Sequence, residues 1–288
     1  MSDTPNAARD ALTRSLDTLE AAVLGRIAGG DGADADALLF LLRLYQLTGR
    51  ADLADVLGNG LAAALRDHQH ETTLRDRSDY LALFVEASAL SGDERLAGAI
   101  GGLVAMLEPA CASAAIDEAI HAIGACLVAA SLDQHRDIAP AAIDQLERVV
   151  GSTYRPGVAV GAFETQVHTA AALLTAYAIS GRLPYSMLAE ELMQTVRRSD
   201  ASSPAGFRAS CEAARVLCRL AALHGDPEYR RAAVFADDAD YRGDAAAMLN
   251  AHADEARRLG SAGAIYGVAV LELESGRSGD SEFRTPTS

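Results

Sequence analysis

Tryptophan is absent from this chain of 288 residues, and Tyr and Phe bring the aromatic share only to 5%. A long polysaccharide cleft needs flat aromatic faces on which sugar rings stack. A carbocation-cyclising pocket needs aromatic walls for cation–π attraction, so both are disfavoured. Lysine is also absent: the 25 basic residues are all arginine, scattered rather than gathered into a patch. Against 40 acidic residues they leave a formal charge of −15, which repels phosphate backbones and anionic headgroups. We therefore expect no nucleic-acid partner and no membrane partner. The N-terminus lacks a basic-then-apolar leader, and no uninterrupted apolar run is long enough for a bilayer, so the expectation is a soluble, cytoplasmic protein. Cys111, Cys126, Cys211 and Cys218 form no C-x-x-C pair, which gives no support to a disulfide framework or a zinc site and fits a reducing compartment.

What is present is a recurring punctuation. "LYQLTGRADLADVL", "EASALSGDERLAGAI", "TAYAISGRLPYSMLAEEL" and "RLAALHGDPEYRRAAV" each stop a helical apolar pattern at a glycine and restart it at once. The glycines are Gly49, Gly92, Gly181 and Gly225, and "SLDQHRD" at 131–137 supplies the break between the second and third. A spacing of roughly forty to fifty residues is that of helix-pair repeats. Glycine suits the left-handed conformation that closes a helix, and in "HGDPEY" Asp226 suits a cap and Pro227 the first turn of the next one.

The two arms of each hairpin differ. Before the glycine the segment is apolar nearly all round, as in "ALLFLLRLYQL" and "AALLTAYAI", the pattern of a helix buried on several sides. After it the apolar residues form one stripe, as with Leu53, Leu57, Leu61 and Leu65, the pattern of a helix facing solvent. Inner helices are expected to start near Asp36, Arg77, Ala115, Glu164, Gly206 and Ser261. Outer helices are expected near Asn6, Ala51, Asp93, Arg136, Pro184 and Asp226, the last broken around "FADDADYRGD". The expected fold is all-α: an (α/α)6 toroid of six helical hairpins, about 12 helices, as a single domain over 1–274 with a flexible tail at 275–288. An open superhelix of similar helix pairs is the alternative.

These hairpins resemble the six-hairpin (α/α)6 superfamily that includes N-acylglucosamine 2-epimerase-like proteins and many glycosidases. "CEAARVLCRLAALHGDPEYRRAA" and the closing "GAIYGVAVLELES" are similar to the helical part of a toroid family that carries a thioredoxin-like domain. No such domain precedes the repeat here, and the glycine-aromatic-acidic loops of sugar-active members are absent. The resemblance implies architecture and leaves the catalytic residues to be read from this chain.

In a toroid the short glycine turns share one face, and the longer connections "DHQHETTLRDR", "EPACAS", "GSTYRPGVAVGAF" and "SDASSPAG" share the other, where function is expected. First turns of inner helices would present Asp79, Tyr80, Asp117, Glu118, His121, Glu164, Gln166, His168, Arg208, Glu212 and Tyr266 to a central cavity. Imidazole titrates near neutrality, so His168, Glu164, His121 and Glu212 are the candidate catalytic set, a histidine shuttling a proton beside a carboxylate. Asp79, Tyr80, Asp117, Arg155, Gln166, Arg208 and Tyr266 are candidate ligand contacts, Arg155 as an anion clamp unless "RPG" is simply a turn. Each of these residues also has a structural reading, as a helix cap or a satisfied core histidine.

The loop "DHQHE" holds His68, His70 and Glu71, a metal set in type only, and Cys211 and Cys218 read as thiols packed as hydrophobes. No metal and no cofactor are assigned. The expected function is binding or acid/base chemistry on a small polar ligand, sugar- or polyol-like, with isomerase or hydrolase-like activity as the enzymatic form. The alternative is a non-catalytic helical-repeat scaffold whose protein partner the residues do not identify.

Overall fold

Helix ends are set where the glycine punctuation places them. In the computed structural model, which describes residues 4–29, 34–71, 73–155, 158–159, 161–199, 206–233 and 239–276, Gly49, Gly92 and Gly181 close three helices with φ of 62°, 61° and 68°. Their amides donate back to Tyr45, Ser88 and Tyr177 carbonyls. Gly225 differs: it remains the last helical residue without a positive φ, and Asp226 alone makes the new start by accepting from the Glu228 amide at 2.7 Å, with Pro227 in the first turn.

The described helices are α1 (Thr4–Ala28), α2 (Ala35–Thr48), α3 (Ala51–Asp67), α4 (Leu74–Ser91), α5 (Glu94–Ser113), α6 (Ile116–Ala129), α7 (Ala139–Thr153), α8 (Phe163–Ser180), α9 (Leu183–Ser199), α10 (Phe207–Gly225), α11 (Pro227–Ala232), α12 (Tyr241–Leu259) and α13 (Ala264–Ser275). The expected break in the last outer helix separates α11 from α12, and "FADD" within it lies outside the described residues, as does the 277–288 portion of the tail. Two strands of two residues, β1 (Tyr154–Arg155) and β2 (Val158–Ala159), pair antiparallel in the connection before α8. "RPG" lies between them in the sequence, its Pro156 and Gly157 outside the described residues.

Burial follows the two-arm pattern. In α2 the buried set is continuous from Ala37 to Leu42, and in α13 it runs unbroken from Ala264 to Leu271. By contrast α3 buries only Leu53, Leu57, Gly60 and Ala64, and α7 only Ala139, Ala142, Leu146 and Val149, single stripes at helical spacing. Apolar area removed from water, about 25 cal/mol per Å2, is what rewards these faces. The helix α5 is long and apolar enough to cross a membrane by length and composition alone; it packs on α4 and α6 through Leu96, Ile100, Leu103 and Leu107.

Chain packing divides into two units. The first takes the described residues of Met1–Arg66, Gly206–Ala222 and Asp238–Ser281. There α13 packs on α2 and α12, and α1 packs on α12 and α13. The second takes those of Asp67–Ala205 and Leu223–Asp237. There α6 is the hub, touching α4, α5, α7 and α8, while α9 covers α8. Among the described residues, each unit carries a polar cluster near the N-terminal ends of two of its helices, α6 and α8 in the second and α2 and α10 in the first.

Candidate functional site

The cluster in the second unit is built by register. His121 is the sixth residue of α6 and His168 the sixth of α8, so two neighbouring helices bring imidazoles to the same height. Their ring centroids are 4.0 Å apart, inclined at 60°. Glu164, one turn before His168 on α8, lies with Oε1 3.7 Å from His168 Nε2. Ligand atoms of His121, Glu164 and His168 all fall within 4.8 Å of one another, and all three side chains are partly buried.

Arg75, in the first turn of α4, reaches Glu164 and donates from Nη1 to Oε1 at 2.5 Å. The hydrogen bond from His168 first, and the Arg75 guanidinium after it, hold the Glu164 carboxyl down at about 2, against the opposing effect of burial. Glu164 is therefore ionised across the physiological range, with the two imidazoles beside it. One turn upstream on α6, Asp117 accepts from the Thr165 hydroxyl at 2.5 Å, tying α6 to α8 at the level of the histidines. Gln166 points away into its own turn, donating to the Gly161 carbonyl at 3.0 Å.

The first unit holds a different cluster. Arg208, near the start of α10, forms a bidentate contact with Asp36 of α2, one arm being Nη2 to Oδ1 at 3.3 Å, and donates from Nε to Glu212 at 3.1 Å. Burial pushes the Asp36 carboxyl up in spite of Arg208. Beside it the Phe207 ring lies nearly parallel to Tyr266 at 6.4 Å, and Phe207 meets the His252 ring edge-on at 5.8 Å. Tyr266 is fully enclosed, and burial pushes its phenol up to about 12.

Each unit gathers its own share of the sequence-derived residues. His121, Glu164 and His168 come together in the second unit with Asp117 one turn away; Arg208 and Glu212 pair in the first, where Tyr266 stacks on the neighbouring Phe207. Asp79 is partly buried on α4, and Tyr80 is buried with its ring 5.8 Å from Phe84. Arg155 is exposed and donates to the Gly151 and Tyr154 carbonyls of its own turn. His68 is buried edge-on against Phe84 at 5.4 Å, whereas His70 is exposed, so the "DHQHE" histidines do not share a face. Sequence reasoning missed Arg75 and Asp36. The signal for both was present, a charged residue in the first turn of an inner helix, but in Arg75 it sat among three neighbouring charges.

A cavity of about 450 Å3 lies elsewhere in the second unit, between α5, α6 and α7, lined by Cys111, Cys126, Ile138, Ala142 and Gln145. It includes none of the histidine cluster; Glu108 is the one carboxylate among its lining residues.

No family model matches the sequence, and no curated protein matches it by sequence. Solved structures do match in shape. An unsaturated glucuronyl hydrolase specific for heparin superposes with a TM-score of 0.71 at 12% identity, covering 93% of this chain and 98% of that one. The α-1,6-mannanase GH76A from Salegentibacter sp. HEL1_6 gives 0.66 at 12% identity, with 92% and 99% covered. An inactive variant of that mannanase, with two consecutive aspartates changed to asparagine, in complex with α-1,6-mannotriose, gives 0.66 at 11% identity over 92% and 99%. At such identity the likeness fixes the fold and not the chemistry. The coverage spans the repeat from end to end, which decides against the open superhelix: the chain has the six-hairpin (α/α)6 toroid fold of glycosidase-like proteins.

Proposed function

We propose that the protein binds a small, hydroxyl-rich ligand of the sugar or polyol class at the His121, Glu164 and His168 cluster and transfers protons to or from it. The observation that carries this reading is the meeting of two imidazoles beside a carboxylate held ionised by Arg75. Glu164 orients His168 and stabilises its cationic form; His168 and His121 carry the proton between ligand and solvent. Arg75 keeps Glu164 anionic, so the carboxylate does not itself compete for that proton. Support of a coarser kind comes from the neighbours, which act on carbohydrates: a glucuronyl residue in one, α-1,6-linked mannose in the other. The reaction class this geometry suits is isomerisation or hydrolysis of a small sugar rather than of a long chain, since few aromatic faces are available for stacking. All four cysteines are free thiols, which supports a cytoplasmic setting.

The test is ligand-observed NMR of the intact protein against a panel of monosaccharides, uronates, short mannosides and polyols. Binding of at least one class, abolished in His168→Ala at an unchanged melting temperature, is the expected outcome. No binding across the panel, or binding that survives both His168→Ala and His121→Ala, overturns the proposal and returns the protein to the class of helical scaffolds.

A further inference from the structure

We propose that His121, Glu164 and His168 form a binding site for one divalent transition-metal ion of the zinc and cobalt class. The donor set is two imidazole nitrogens and one carboxylate oxygen, which suits Zn, Co or Ni; Mg and Ca would require oxygen donors. The donors sit close to the required separation. With metal–ligand bonds of about 2.0–2.1 Å, neighbouring donors of a tetrahedral ion are about 3.3 Å apart. Glu164 Oε1 and His168 Nε2 already stand at 3.7 Å, and the full triad lies within 4.8 Å.

The backbone favours the same outcome. Two donors come from one helix at i and i+4, a spacing that puts both on one face, and the third comes from the adjacent helix at matching height. Arg75 takes one acceptor position on Oε1, and a carboxylate has about four across its two oxygens, so Oε1 keeps a second position for a metal. Thr165 and Asp117 tie α6 to α8 beside the site and limit splaying of the two helices. Arg75 also places a positive charge near the ion, so moderate affinity is expected in place of that of a permanent structural zinc. Three protein donors leave one coordination position to water or to a ligand oxygen, the arrangement of an open site.

This inference is independent of the sugar-binding reading, because metal capture needs only the donor geometry. The two uses of the triad are alternatives: a bound ion occupies the nitrogen lone pairs that proton transfer would employ.

The experiment is titration of tag-free, chelator-treated protein with Co(II), followed by visible absorption, and with Zn(II), followed by calorimetry, in the absence of any sugar. The expected result is one equivalent bound with the d–d bands of a low-coordinate cobalt site. His121→Ala and His168→Ala should each weaken binding by more than about a hundred-fold, beyond what loss of an outer-shell partner costs. His70→Ala should leave it intact. Should an alanine variant unfold, His121→Gln and His168→Gln keep volume while removing the donor nitrogen and give the same readout. No saturable cobalt spectrum in the unaltered protein, or a spectrum unchanged in the folded His121 and His168 variants, overturns the proposal whatever the sugar panel shows.

Discussion

Asp36 at the start of α2 and Arg208 at the start of α10 stand 172 residues apart in the chain and are joined through both guanidinium nitrogens. Each side chain keeps some contact with water, at 17% and 31% of its surface. Removing the cation in Arg208→Met leaves Asp36 and Glu212 facing each other. The expected loss is about 2 kcal/mol, less than the roughly 3–5 of a fully buried pair broken on one side. Asp36 also gives a pH signature. Burial raises its folded-state value above 3.8, so its favourable contribution is complete below 3.8 and is lost as pH rises through the folded value. Asp36→Asn should flatten that decline, as read from urea midpoints across the acid range.

Glu272 on α13 behaves in the opposite sense within the same unit. Burial works to raise its carboxyl, but Arg215, bonded at 2.8 and 3.0 Å, with Arg43 and Arg219 behind it, brings it below 4.5. Its contribution is therefore present above 4.5 and lost as pH falls through the folded value. Glu272→Gln should reduce stability near neutrality by about 1–3 kcal/mol, the range for a hydrogen bond to a charged group. The acid limb of the stability profile should become shallower in that variant. An unchanged acid limb in Glu272→Gln would assign acid sensitivity to other carboxylates.

The fold was legible because one signal repeats. Gly49, Gly92 and Gly181 each mark a left-handed closure, and the contrast between all-round and one-faced apolar segments tells α2 from α3 without any knowledge of contacts. The open and closed forms of such a repeat share those signals, so closure came from shape comparison. Of the site, the Glu164 and His168 pair is local, at i and i+4 on one helix, and could be read directly. Its partnership with His121 and Arg75 depends on the register between α4, α6 and α8, which a repeat constrains only to within a turn. Arg208 and Glu212 are local in the same way, bonded at i and i+4 on one helix. The short β pair at 154–159 was not expected, since two-residue strands around "RPG" carry no alternation to detect.

Gly267 on α13 is a packing glycine and not a hinge. A Cβ at this position would lie 2.6 Å from Cδ2 and Cε2 of Phe40, whose ring is fully buried in α2 and has nowhere to retreat. Alanine would gain up to about 1 kcal/mol in helix propensity and lose about 1–3 through overpacking. Gly267→Ala should therefore be destabilising on balance, by up to about 2–3 kcal/mol in urea denaturation. A stabilised variant would show that α13 slides on α2.

Cysteine reactivity should be ordered by surroundings and not by sequence neighbours. Cys111 and Cys126 face each other at 3.9 Å between α5 and α6, with the 450 Å3 cavity opening beside them. The Cys126 thiol beside it lowers the Cys111 thiol, while Cys126 itself is raised by the same contact and then by burial. Burial raises Cys211 and pushes Cys218 up to about 12. Because the thiolate is the nucleophile, timed alkylation of the native protein followed by peptide mass mapping should label Cys111 ahead of Cys126, Cys211 and Cys218. Cys126→Ser replaces the sulfur partner by a smaller hydroxyl and should slow labelling at Cys111 while Cys211 and Cys218 keep their rates. Equal rates at all four positions would mean that labelling proceeds through global unfolding, and the local contact between Cys111 and Cys126 would then have no bearing on reactivity.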